Sequence, residues 1–132
     1  MLDPTTPSLY ERLGGYDGIA AIVDDLLPRL HGDPQLGVYW KGKCKDSLNK
    51  DRQLLVDFMG SAFGGPVLYQ GRDMKTSHDG LGITESEWSG FMEHVVAMLK
   101  NLAIPDREAT EFLAAAGSLK SDVVETSRVV GA

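Results

Sequence analysis

The stretch Gly71 to Thr84, GRDMKTSHDGLGIT, places one histidine, His78, between a short basic run and a pair of glycines. An imidazole on a brief helical stub, followed by flexible backbone, can present one ring nitrogen as an axial ligand, and haem iron is commonly held this way. Spacing alone leaves the ordinary alternatives open, because a lone histidine is more often a surface or core residue. The segments on either side bear on that choice.

Downstream, Thr84 and Glu87 have the spacing of a capping box. They open a long helix whose inner face reads Trp88, Phe91, Met92, Val95, Leu99 and Leu102. Pro105 suits the first turn of a last helix that carries Phe112, Leu113, Ala116, Leu119, Val123 and Val124 inward. Upstream, Gly64-Gly65-Pro66 stops a helix predicted from about Ser47 to Ala62, with Asp46 or Ser47 as its cap. Asp51, Leu54, Leu55, Phe58, Met59 and Ala62 share one stripe of that helix, and Gln53 lies nearly opposite.

Further upstream, Ile19, Ile22, Val23, Leu26, Leu27 and Leu30 repeat at three and four residues across Asp17 to His31. Pro28 falls inside this pattern, so a kink or an early end is expected near Leu27. Pro34 to Trp40 reads as a short helix reaching an aromatic corner, and Lys41 to Lys50 as a polar connection. Ser8 and Glu11 cap a first short helix that Gly14-Gly15 ends. Residues 1–8 read as a loose lead and 9–132 as a single domain. No alternating strand pattern occurs, so the chain reads all-α.

With 132 residues the chain can bury one real core. Thirteen basic residues against 19 acidic ones give a formal charge of −6 with no long basic block, which makes nucleic acid and anionic membranes poor partners. A single cysteine, Cys44, excludes an internal disulfide framework and a cysteine-based zinc site; a reducing, cytoplasmic setting fits. Lys43 and Lys45 are expected to lower its pKa somewhat. Neither a signal peptide nor a membrane-spanning run is expected.

Several pieces stand in a fixed order around the opening stretch: LYERLGG at Leu9 to Gly15, FGGP at Phe63 to Pro66, then Tyr69-Gln70-Gly71-Arg72, Met74 and His78. Together, from about Leu9 to about Leu119, they resemble the group I truncated haemoglobins. The resemblance implies a truncated globin-like, two-over-two helical sandwich around haem b, with His78 as the proximal iron ligand. It also implies reversible binding of O2, NO or CO, a possible NO dioxygenase activity with a reductase partner, and a monomer or weak homo-oligomer. Leu27, Leu54, Leu55, Phe58, Tyr39 and Trp40 would line the opposite face of the haem, Asp51 would stand at its mouth, and Trp88 and Phe91 would also reach it. Tyr69 and Met74 match packing positions near the haem, while Arg72 and Lys75 are the natural cations for its carboxylates. The same leucine and phenylalanine stripes also suit plain core packing.

The sequence departs from the family pattern where a tyrosine late in the second helix and a glutamine or histidine on the facing helix are usual. Leu27, Leu54 and Leu55 occupy those positions. Without such donors tight oxygen storage is not expected, and Tyr39 or Trp40 is left as a replacement donor or an aromatic packing group. His31 is read as a helix-end carbonyl cap and His94 as a partly exposed flank. Two other functions compete: a haem enzyme with peroxidase-like or nitrite-reducing activity, needing a proton donor among Tyr39, Trp40 and Asp51, and a haem-free helical interaction domain.

Overall fold

Ser8 starts the first helix, α1 (Leu9–Arg12), its Oγ accepting the Glu11 N–H at 3.2 Å. The structure is a computed structural model and describes residues 7–66, 69 and 83–124. Its remaining elements are α2 (Gly15–His31), a 3-10 turn (Gly37–Trp40), α3 (Lys45–Ala62), α4 (Glu85–Asn101), α5 (Asp106–Gly117) and α6 (Lys120–Val123). Among the described residues there is no strand.

Gly14 makes the sharp joint between α1 and α2 with φ 107°, a conformation that costs any residue with a Cβ. α2 is the central element and packs chiefly on α3 and α4. Its Ile19, Ile22, Val23 and Leu26 are 0% exposed, each worth about 1.5–3 kcal/mol of burial. α2 runs through Pro28 to His31, so the helix does not end early at Leu27. The proline removes only its own N–H, while its carbonyl still accepts from Gly32 at 3.0 Å and the buried neighbours Leu26 and Leu30 hold the last turn in place.

The expected helix at Pro34 to Trp40 is only the 3-10 turn. Asp33 takes over the preceding residues, its Oδ1 accepting the N–H groups of Gln35 at 2.7 Å and Leu36 at 3.1 Å. α3 begins at Lys45 rather than Ser47, with Cys44 at the cap and no side-chain cap bond from Asp46 or Ser47. At its other end, Gly65 lies against Tyr10, where a Cβ would come within 2.6 Å of the ring. The Tyr10 N–H donates to the Phe63 carbonyl at 2.9 Å, which fixes α1 across the end of α3.

The Thr84/Glu87 capping box is formed in both directions. α4 ends in a Schellman arrangement in which the N–H of Ile104 reaches the Leu99 carbonyl at 3.0 Å, with Ala103 carrying φ 53°. The expected single last helix is interrupted after Gly117 and resumes as α6. Arg12 clamps α1 to α5 by donating to Glu108 at 2.7 Å and Glu111 at 2.8 Å, which holds the Glu111 carboxyl below its usual range.

Candidate haem site

α3 turns two unlike faces to its surroundings. Val56, 1% exposed, with Met59, Gly60 and the following Phe63, is closed within the main core beside α2. The predicted stripe lies elsewhere: Asp51, Leu55 and Phe58 are half-buried and Leu54 is 42% exposed. Ala62, expected inward, is exposed. Leu48, Asp51, Leu55 and Phe58 follow one another at helical spacing, so they form one row on α3.

Other apolar groups also touch the core without being closed into it: Leu27 on α2, Trp40 on the 3-10 turn and Phe91 on α4. Tyr69 meets the Phe58 ring edge-on, 5.3 Å between centroids. Trp88 is buried with Val123 and Val124 in a second cluster, its ring centroid 5.3 Å from that of Phe91. The structure therefore presents Leu55 and Phe58, with Tyr69 against Phe58 and Leu54 beside them, as one incompletely covered apolar wall on α3. His78, Arg72, Met74 and Lys75 lie outside the described residues.

The polar candidates are mostly committed. The Tyr39 hydroxyl donates to the Glu87 carboxylate at 2.9 Å, and that carboxylate also accepts the Thr84 N–H at 3.0 Å. An ionised capping carboxylate is a strong acceptor, so Tyr39 serves the start of α4. Asp51 takes the Lys43 ammonium at 2.6 Å, which resolves the cost of a carboxylate beside leucines. Gln53 points away from the wall, as expected, its Nε2 donating to the Tyr16 hydroxyl at 3.2 Å and Asp57 at 3.0 Å.

The two described histidines, His31 and His94, also separate. His94 is half-buried, its Nε2 2.7 Å from Asp33 Oδ2, and this contact is the main cause holding Asp33 below the usual carboxylate range. The His31 ring lies 4.8 Å from Trp40, centroid to centroid, and its Nε2 is buried without a hydrogen-bond partner. That nitrogen caps no carbonyl, contrary to expectation: Gly32 and Asp33 N–H groups already serve the Pro28 and Leu30 carbonyls. At Cys44 the thiol is held below its ordinary value, first by the Ser47 N–H and hydroxyl at the start of α3; the flanking lysines are not the cause.

Sequence reasoning passed over Leu48 and Val56 on α3 and Met98 on α4. Leu48 has a legible signal, three residues before Asp51 and seven before Leu55. Val56 has none at the level of the predicted stripe, since it belongs to the other face.

A model of the bacterial-like globin family matches residues 8–125. The group 1 truncated hemoglobin of a Nostoc species is 33% identical over 88 residues, covering 67% of this chain and 72% of that protein. The group 1 truncated hemoglobin of Mycolicibacterium paratuberculosis is 29% identical over 116 residues, or 88% of this chain and 83% of the relative. Among solved structures, the 2/2 hemoglobin of a Synechococcus species, which carries covalently attached heme, superposes with a TM-score of 0.80 at 27% identity, covering 89% of this chain and 98% of that one. Truncated hemoglobin from Tetrahymena pyriformis reaches a TM-score of 0.82 at 22% identity, over 91% and 100% of the two chains.

Fold and family match thus define a small haem globin with a two-over-two helical plan. The chain belongs to the bacterial-like globin family, in its group 1 truncated branch. Its cofactor is haem iron and its function is haem-based gas binding. The described residues fit that group: the surface formed by Leu54, Leu55 and Phe58, with Tyr69 against Phe58, is apolar and left part-exposed by the protein alone. Among the described residues no cluster of acidic, cysteine and histidine side chains offers an all-protein metal site, and no helix is long and apolar enough to cross a membrane.

Proposed function

We propose that the protein holds haem b through His78 and binds O2, NO or CO reversibly on the side facing Leu27, Leu55 and Phe58. The observation that carries this reading is the half-covered apolar row on α3, with Leu54 42% exposed beside the part-buried Leu55 and Phe58. Such a row is costly toward water and suits a large apolar plate. The bound haem supplies an iron with an open coordination position. The chain supplies the environment: Leu27, Leu55 and Phe58 keep water away, Tyr69 braces Phe58, and Lys43 keeps the Asp51 charge compensated. Arg72 and Lys75 are assigned to the haem carboxylates.

The apolar face also sets the kind of gas binding. A missing strong hydrogen bond to the ligand is worth about 1.5–3 kcal/mol, roughly ten- to a hundredfold in off-rate. Fast release suits sensing or scavenging in a cytoplasmic setting better than storage, and NO dioxygenase activity is at most secondary. Two of the three proton donors that a peroxidase-like or nitrite-reducing reaction could use are committed, Tyr39 to Glu87 and Asp51 to Lys43, which favours gas binding over that reading.

The test is the visible spectrum of protein reconstituted with haemin, ferric and then dithionite-reduced, with and without CO, beside His78→Ala. A Soret band that shifts with CO in the wild type and is weakened or displaced in the variant is the expected result. A spectrum indifferent to the loss of His78 removes that residue as ligand.

A further inference from the structure

We infer that His31 is the polar positioning group of the gas-binding side, offering its Nε2 to water or ligand in a face otherwise built of leucine and phenylalanine. This rests on the reading that the α3 row faces haem. Three observations converge on it. His31 Nε2 is the one buried side-chain polar atom left without a partner among the described residues. His31 lies one helical turn after Leu27, so both project from the same side of α2. It also lines an open hollow of about 450 Å³ with Trp40, Val38 and Leu48, and Leu48 begins the row that continues to Asp51, Leu55 and Phe58.

A buried nitrogen with no partner opposes folding. Phenylalanine would keep the ring beside Trp40 and remove that penalty, so a purely structural position would favour it. An imidazole there makes sense when its nitrogen gains a partner in the loaded protein, and locally unfavourable groups concentrate at functional sites. Two of the other candidate groups are engaged elsewhere, Tyr39 with Glu87 and His94 with Asp33. The hollow lies beside His31 and Trp40, and a bound water there can carry the hydrogen bond onward.

The experiment compares wild type, His31→Phe and His31→Gln in two states. In the haem-free state, His31→Phe is expected to raise the melting temperature by roughly 4 °C, since it deletes an unsatisfied buried group. In the haem-loaded state, the same variant should take up haem normally yet release O2 roughly three- to tenfold faster, as expected for one lost neutral hydrogen bond. Its bound CO should show a higher C–O stretching frequency, and His31→Gln should restore part of both effects. Normal haem uptake with unchanged O2 release and C–O stretch would overturn the assignment. So would a six-coordinate wild-type spectrum that becomes five-coordinate in His31→Phe, because His31 would then be an iron ligand. Failure of the wild type itself to bind haem defeats the underlying reading and this one together, whereas indifference to His78→Ala alone defeats only the proximal ligand.

Discussion

The two faces of α3 are built from similar side chains and end in different surroundings. Val56, Met59 and Phe63 are closed into the core, Phe63 with its ring centroid 5.2 Å from that of Phe112. Leu54, Leu55 and Phe58 stay partly open, although they are no less apolar. Hydrophobic character therefore does not say which side a helix will close against protein. The closed side is the one that meets α2, whose four fully buried residues give it a partner surface of matching shape. The open side stays available to a partner that is not polypeptide.

The sharpest way to break this contrast is to damage each side and ask which state of the protein responds. Phe112→Ala empties the closed side and is expected to cost about 3–5 kcal/mol in both haem-free and haem-loaded protein. Denaturant unfolding of the two forms measures it, and a loss confined to the loaded form would mean that the core itself depends on haem. Phe58→Ala should behave oppositely, changing haem-free stability little. Haem loss to an acceptor apoprotein should accelerate by roughly tenfold or more, the equivalent of about 1.5–3 kcal/mol of aromatic burial. Equal destabilisation of both forms would place Phe58 in the core instead.

The smallest effect concerns the joint between the two regions, where Asp33 ties the end of α2 to His94 on α4. Hydrogen bonds from His94 first, then from Leu36 and Gln35, hold the folded-state carboxyl below its ordinary 3.8. A depressed folded pKa means that the contribution is complete above the unfolded value and fades as pH falls through the folded one. Asp33→Asn should therefore melt earlier than wild type at neutral pH, with the difference closing as the solution is acidified below about pH 4. A gap that persists unchanged in acid would show that the amide acts through lost capping geometry rather than through charge.

Local chemistry made much of the scaffold readable from the residues alone. Ser8 and Thr84 with their partners three residues on, the glycine pairs, and the three-and-four spacing from Ile19 to Leu30 each act within a turn or two of chain, so they predicted α1, α2 and α4 nearly as found. The ordered pieces from Leu9 to His78 gave the family, and with it haem as the cofactor. Where a choice depended on distant chain, the sequence was silent. It could not show that α2 would continue through Pro28, because the packing of Leu26 and Leu30 holds that turn. Nor could it show that Val56 rather than Leu54 would be closed, since both are apolar and only the position of α2 separates them.

The polar groups divide along the same line. Glu87 was legible as a cap, yet its second role, taking the Tyr39 hydroxyl from 48 residues away, required the corner after α2 to fold against α4. His31 read as a helix-end cap, since the sequence shows a histidine before a glycine and no more. Only the assembled structure placed its nitrogen out of water with no partner, because nearby backbone N–H groups had already taken the carbonyls it was expected to serve. The sequence by itself determined helices, turns and family, all of which depend on neighbours along the chain. Which face stayed open and which polar atom stayed unpaired were decided by tertiary packing, because burial and hydrogen-bond satisfaction depend on neighbours in space.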